Sequence, residues 1–137
     1  MSERKKVLIV DDDPDFAAGI KAILDTRYDT VVAHNPDDGW EALQKDRYDL
    51  LCLDIMMGRG AEGVMMARKI RKDAILREMP VLIITGLREQ IAFLFPGQAV
   101  HPGFVPVDEL MEKPVEPDLL LQRAAALIAA GEARQRR

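Results

Sequence analysis

Short runs of apolar residues recur along the chain, and each is rich in Val, Ile or Leu. Such runs are typical of strands that are buried on both faces, as in a parallel sheet. The four clearest runs lie at residues 7–10, 30–33, 50–53 and 81–84, and a last strand is predicted near residues 107–112. The hydrophobic pattern therefore predicts five strands.

Stretches with helical periodicity separate these runs. The first apolar stripe, with spacings of four, three and one, is formed by Phe16, Ile20, Ile23 and Leu24. Pro14 suits the first turn of that helix, and Gly131 is predicted to stop the last one. Further helices are predicted around residues 40–43, 64–71 and 120–128. Strands that alternate with helices predict right-handed crossovers and a doubly wound, three-layer α/β sandwich.

One segment breaks this regularity. Five of the eight prolines lie between residues 96 and 117, so no long helix can cross that region. We expect a short fourth helix to end at residues 91–95 and a loop to occupy residues 96–106.

Length and composition fit one compact domain. The chain has 137 residues, a net charge of −4 and 48% hydrophobic residues, which can build a core of ordinary size. The single cysteine, Cys52, lies within an apolar run and excludes a disulfide framework or a cysteine-based zinc site. We expect a domain over residues 1–131, a basic tail over residues 132–137 and no effector domain.

Targeting signals and nucleic-acid signals are weak. The apolar run at residues 7–10 meets Asp11 too early for a signal peptide, and no run reaches the length of a membrane span. Apart from the tail, the basic residues are scattered, so the sequence carries no nucleic-acid-binding footprint. We therefore expect a cytoplasmic protein without a membrane or nucleic-acid partner.

Carboxylates follow two of the predicted strands. Asp11, Asp12 and Asp13 come directly after the first strand, and Asp54 follows the third. The carboxyl ends of strands in a doubly wound sheet face one crevice, where the converging carboxylates repel one another unless a cation is present. Oxygen ligands favour Mg²⁺. For Asp13 alone we favour a structural role, as the N-cap of the helix that begins at Pro14.

Two further side chains complete the predicted site. Thr85 follows the fourth strand, and Lys113 follows the fifth and precedes Pro114, which restricts Lys113 to extended conformations. A carboxylate nucleophile, a metal, a hydroxyl and an ammonium group are what an in-line phosphoryl transfer requires.

The motifs around these residues resemble those of a response regulator receiver domain. They are VDDDP at residues 10–14, LDIMM at residues 53–57, ITG at residues 84–86 and EKP at residues 112–114. The resemblance spans nearly the whole chain. It implies a flavodoxin-like fold with five parallel strands in the order 2-1-3-4-5, flanked by five helices.

The resemblance also implies a role for each matching residue. Asp54 would be the phosphoacceptor and also a metal residue, Asp12 a direct Mg²⁺ ligand, and Asp11 would assist through water. The backbone carbonyl of Met56 would complete the metal site. The remaining two residues, Thr85 and Lys113, would contact the phosphoryl oxygens.

The resemblance further implies partners. A histidine kinase or a phosphotransfer protein would phosphorylate the aspartate, and output would pass to an unknown downstream protein. Beyond self-phosphorylation and autodephosphorylation that depend on Mg²⁺, the resemblance implies no enzyme activity.

The sequence departs from the family at several positions. Gly58 stands where the family usually has proline, and the loop over residues 59–63 differs from the usual Gly-Met-Asp-Gly type. Many members have Tyr or Phe three residues before the lysine, where this chain has Leu110. The segment from Thr85 to Lys113 is longer than usual, and it changes the face through which many receivers dimerise. A homodimer through the last third of the chain is therefore also expected.

Two apolar residues bear on the lifetime of the acyl phosphate. In the family, the residues two positions after the phosphoacceptor and two after the threonine line the path of the attacking water. Here they are Met56 and Leu87, and neither side chain can orient a water molecule. Slow self-dephosphorylation is the resulting hypothesis.

Two alternatives compete with the phosphoacceptor hypothesis. The chain could be a receiver-like interaction or dimerisation module that never needs phosphate, but Asp54, Thr85 and Lys113 argue against it. A phosphatase that uses Asp11 and Asp13, as in haloacid dehalogenase relatives, usually has a longer chain and a late acidic pair, which this sequence lacks.

Overall fold

A computed structural model describes residues 4–55, 57, 62–86 and 108–135. It contains one parallel sheet with the strand order β2-β1-β3-β4-β5, as predicted. The strands are β1 (Lys6–Val10), β2 (Asp29–Ala33), β3 (Leu50–Leu53), β4 (Val81–Thr85) and β5 (Glu109–Glu112). The helices in the described part of the chain are α1 (Pro14–Leu24), α2 (Pro36–Lys45), α3 (Glu62–Lys72) and α4 (Pro117–Gln135).

Each face of the sheet carries its own apolar core. On one face, α2 and α3 contribute Leu43, Val64 and Ile70 to a buried cluster. On the other face, α1 and α4 bury Ile20 and Leu120. The central strands β1, β3 and β4 supply both clusters, which explains their continuous apolar sequence. The predicted doubly wound, three-layer sandwich is confirmed.

The predicted start of α1 is also confirmed. Asp13 caps α1, because its carboxylate accepts hydrogen bonds from the backbone amides of Asp15 and Phe16, both at 3.1 Å. Asn35 caps α2 in the same way through the amide of Asp38, at 2.7 Å. The expected helix at residues 91–95 and the loop at residues 96–106 lie outside the described residues.

The prediction that Gly131 stops the last helix was wrong. Helix α4 continues to Gln135, so residues 132–135, which we had assigned to a basic tail, are helical. Gly131 lies where a β-carbon would be 2.7 Å from the side chain of Pro80, so its lack of a side chain permits close packing. The side chain of Arg134 donates a hydrogen bond to the carbonyl of Glu78, at 3.1 Å. These contacts hold the last turns of α4 against the domain.

Arg71, at the end of α3, makes polar contacts and does not contribute to the apolar stripe of that helix. Its guanidinium donates hydrogen bonds to the carbonyl of Met79 and to the carboxylate of Asp108, each at 2.7 Å. Asp108 also accepts the backbone amide of Val81 at 2.8 Å, so Arg71 connects the end of α3 to the starts of β4 and β5.

No helix in the described ranges combines the length and the apolarity that are needed to cross a membrane.

Candidate functional site

Three carboxylates converge at the carboxyl end of the sheet. Asp11 and Asp54 directly follow β1 and β3 and are 3% and 5% exposed, whereas Asp12 is exposed. One carboxylate oxygen from each of the three lies within 4.8 Å of the others. Hard carboxylate oxygens in this arrangement fit Mg²⁺, and the exposed Asp12 leaves an open side for water or substrate.

The backbone holds the two buried aspartates in place. The amide of Asp11 donates to the carbonyl of Ala33 at 3.1 Å, and the amide of Asp54 donates to the carbonyl of Val10 at 3.0 Å. The hydrogen-bonding pattern of the sheet thus extends one residue past the strand ends. The carboxylate of Asp11 also accepts the amide of Asp13, at 2.9 Å.

Lys113 brings a positive charge to these carboxylates. Its backbone amide donates to the carbonyl of Thr85 at 2.7 Å, which places Lys113 directly after β5. Its Nζ lies 3.2 Å from a carboxylate oxygen of Asp11 and 3.3 Å from one of Asp54. Burial acts to lower the pKa of Lys113, but the two carboxylates outweigh it, so the pKa is raised and the side chain stays an ammonium.

The hydroxyl of Thr85 is buried without a hydrogen-bond partner in the part of the chain that the structure describes. The residue is 0% exposed and ends β4, beside the strand that leads to Lys113. A buried hydroxyl that lacks a partner carries an energetic cost, and such groups point to a ligand or an altered state that supplies one.

The structure therefore brings together most of the predicted site. Asp11, Asp12, Asp54 and Lys113 form one cluster, and Thr85 lies on the neighbouring strand end. Asp13 belongs to the helix cap, as expected. Met56, whose carbonyl was predicted to complete the metal site, lies outside the described residues, and so does Leu87.

Sequence reasoning missed two residues beside this cluster. The ring of Phe16 lies under the ammonium of Lys113, with 4.1 Å between Nζ and the ring centroid. A β-carbon at Gly63, in the first turn of α3, would lie 2.2 Å from the carbonyl oxygen of Asp54. For Phe16, the sequence signal was an aromatic residue two positions after Pro14. For Gly63, the signal was a glycine at the start of a helix.

Comparison with known proteins identifies the family. The profile of the response regulator receiver domain matches residues 7–125. The chain belongs to this family. It is thus a receiver domain of two-component signalling. Receiver domains as a class are phosphoacceptor modules rather than conventional enzymes, and they typically bind Mg²⁺ at an acidic pocket.

The relatives agree with the receiver assignment. "Response regulator Rre1" of Synechocystis sp. is 30% identical over 135 residues, which are 97% of this chain and 55% of that protein. "DNA-binding response regulator MtrA" of Mycolicibacterium smegmatis is 27% identical over 130 residues, 94% of this chain and 53% of that protein. The receiver chain thus spans about half the length of these curated relatives.

Solved structures agree on the fold. A CheY-like receiver domain protein from Methanospirillum hungatei JF-1 superposes with a TM-score of 0.79, covering 96% of this chain and 99% of that one, at 24% identity. The signal receiver domain of a histidine kinase from Syntrophus aciditrophicus has a TM-score of 0.75 and 25% identity, covering 92% of this chain and 91% of that one.

Proposed function

We propose that the receiver accepts a phosphoryl group on Asp54 from a histidine kinase or a phosphotransfer protein. The observation that carries this proposal is the position of the Asp54 carboxylate, which is buried beside Asp11 and 3.3 Å from the ammonium of Lys113. The unpartnered hydroxyl of Thr85 at the next strand end supports it.

The transfer is an in-line displacement. An oxygen of the Asp54 carboxylate forms a bond to phosphorus while the bond from phosphorus to the donor nitrogen breaks, and the donor keeps that electron pair. The carboxylates of Asp11, Asp12 and Asp54 and the carbonyl of Met56 would hold Mg²⁺, which would neutralise charge on the phosphoryl oxygens. Lys113 would pair with the same oxygens.

Phosphorylation would then change the populations of two conformations. A phosphoryl group adds about two negative charges, which the Lys113 ammonium and the Thr85 hydroxyl can bind. Shifting a two-state equilibrium from 1:99 to 99:1 requires about 5.5 kcal/mol of differential stabilisation. Many receivers have Tyr or Phe three residues before the lysine, but this chain has Leu110 there, packed against the core cluster that includes α2 and α3. No aromatic ring at that position can therefore relay the conformational change.

We further propose that the receiver acts in the cytoplasm and signals through contacts with another protein. The scattered basic residues support this view, although a relative such as MtrA is named as a DNA-binding regulator. Homodimerisation through the last third of the chain remains a prediction.

We expect the wild-type protein to gain the mass of one phosphoryl group when it is incubated with Mg²⁺ and acetyl phosphate. Chelation of the metal or the substitution Asp54→Asn should abolish the gain, because both remove a reacting or charge-neutralising group. Intact-protein mass spectrometry measures it. Asp46→Asn is the matched control, because the Asp46 carboxylate is 49% exposed and pairs with Lys6 rather than with Lys113. A well-folded wild type that gains no mass would instead favour the phosphate-independent interaction module.

Thr85→Val should retain the fold but respond weakly to phosphorylation. Valine fills the same volume and removes the unpartnered hydroxyl, so stability should rise slightly, by up to about 1 kcal/mol. Thr85→Ser should keep the response. Chemical-shift changes on adding beryllofluoride and Mg²⁺ measure that response, and an undiminished response in Thr85→Val would exclude a role for the hydroxyl.

Met56→Asn should accelerate loss of the phosphoryl group by about tenfold, since an amide can orient the attacking water and a thioether cannot. The decay of the phosphorylated mass after removal of acetyl phosphate measures the rate. Rapid decay in the wild type that the substitution leaves unchanged would contradict the hypothesis of a long-lived acyl phosphate.

A further inference from the structure

Among the residues that the structure describes, two carboxylates and one aromatic ring lie against the ammonium of Lys113. The carboxylates are those of Asp11 and Asp54, at 3.2 and 3.3 Å. The ring is that of Phe16, whose centroid lies 4.1 Å from Nζ. A cation over an aromatic face at this distance is attracted by the ring quadrupole.

The ring is fixed from two directions. The amide of Phe16 donates to the capping carboxylate of Asp13, at 3.1 Å, so the residue is held in the first turn of α1. Its side chain is half-buried and packs against the core cluster between the sheet, α1 and α4. The position of the ring therefore does not depend on the charges of the site.

The carboxylates and the ring respond differently to a divalent cation. A cation held by Asp11, Asp12 and Asp54 would compete with Lys113 for the same oxygens and would repel its ammonium. The four-carbon stem of a lysine is flexible enough to swing away. The neutral ring binds no Mg²⁺, so its attraction for the ammonium persists when the carboxylates are engaged.

We propose that Phe16 is a positioning residue that retains the ammonium of Lys113 at the site when the carboxylates bind a metal ion. This inference rests on the proposed function, in which Lys113 pairs with the phosphoryl oxygens. The ring is expected to aid phosphorylation and to weaken metal binding, because an ammonium that is retained near the metal repels it.

The first test needs neither metal nor phosphate. The ε-methylene protons of Lys113 should show an upfield ring-current shift in the NMR spectrum of the metal-free wild type. Phe16→Leu, which keeps an apolar side chain, should move them to the values of an exposed lysine, whereas Phe16→Tyr should preserve the shift. Unchanged resonances in Phe16→Leu would overturn the proposal.

The second test uses two readouts that should move in opposite directions. Phe16→Leu should bind Mg²⁺ about two- to fivefold more tightly by calorimetry, and its phosphorylation by acetyl phosphate at saturating Mg²⁺ should slow by about three- to tenfold. Phe16→Tyr should match the wild type in both. In a Lys113→Gln background, Phe16→Leu should change neither quantity.

Weaker Mg²⁺ binding together with slower phosphorylation in Phe16→Leu would indicate a merely structural role and overturn the proposal. An equal effect of Phe16→Leu in the Lys113→Gln background would do the same. If the wild type accepts no phosphoryl group at all, the proposed function fails, while the ring-current shift and the Mg²⁺ affinities still decide whether Phe16 holds Lys113.

Discussion

Gly63→Ala is expected to lower the free energy of unfolding by about 2–3 kcal/mol, the upper range for overpacking a tight contact. The new β-carbon would lie 2.2 Å from the carbonyl oxygen of Asp54 and 2.4 Å from the α-carbon of Ile55. Both neighbours are backbone atoms, so the clash cannot be relieved by rotating a side chain. Either the start of α3 or the segment after β3 must move.

Chemical denaturation of Gly63→Ala and of Gly19→Ala measures this effect with a matched control. Gly19 lies in α1, and among the described residues no atom beyond its chain neighbours and its own helical backbone lies within 4 Å of a β-carbon built there. Gly19→Ala should therefore raise the free energy of unfolding by about 0.5–1 kcal/mol, as expected for replacing glycine within a helix. Equal effects of the two substitutions would show that α3 does not pack against the Asp54 backbone as described.

The second large effect is expected for Lys113→Met, which should destabilise the metal-free protein by about 2 kcal/mol at neutral pH. The substitution removes the ammonium that lies within 3.3 Å of both Asp11 and Asp54, and it leaves two buried carboxylates to repel each other. Added Mg²⁺ should restore stability more strongly in Lys113→Met than in the wild type, because the metal replaces the missing charge.

Thermal unfolding with and without Mg²⁺ measures this effect, with Lys45→Met as the control. Lys45 pairs with Glu41 across an exposed turn of α2, where the two side chains are 71% and 61% exposed. Such surface pairs contribute little, so Lys45→Met should change stability by less than about 0.5 kcal/mol, with no dependence on Mg²⁺. A Lys113→Met protein as stable as the wild type would mean that the two carboxylates do not rely on the ammonium.

The ion pairs of Lys113 with Asp11 and Asp54 also make the stability of the fold depend on pH. Burial acts to lower the pKa of Lys113, and the nearby Asp54 and Asp11 carboxylates raise it by more, so the folded-state pKa lies above the usual 10.5. The stabilisation is therefore complete below 10.5 and is lost as the pH rises through the raised value. The difference in stability between the wild type and Lys113→Met should shrink in that alkaline range.

The sequence predicted the strands and the convergence of the candidate site residues, because both depend on local patterns. The runs at residues 7–10, 30–33 and 50–53 end where β1, β2 and β3 end, whereas β4 continues one residue past its run, to Thr85. The carboxyl ends of parallel strands share one edge, so Asp11 and Asp54 had to converge. The cap role of Asp13 also follows from short-range chemistry, since Asp13 directly precedes a proline that begins a helix.

The errors and omissions involve contacts between distant segments. Glycine often ends a helix, but Gly131 instead allows α4 to approach Pro80, which lies before β4. The contact between Phe16 and Lys113 joins the first and last thirds of the chain, and periodicity carries no information about it. Both features are decided by packing in three dimensions.

The central claim, that Asp54 carries the phosphoryl group, is tested most directly by locating the modification. The wild-type protein would be phosphorylated with acetyl phosphate and Mg²⁺ and then reduced with borohydride, which converts an aspartyl phosphate to homoserine. Tandem mass spectrometry of its peptides would read the position. We predict homoserine at position 54 alone, in an amount that falls to background when the metal is chelated. Homoserine at position 11 or 12, or none in a protein that has gained phosphoryl mass, would contradict the account.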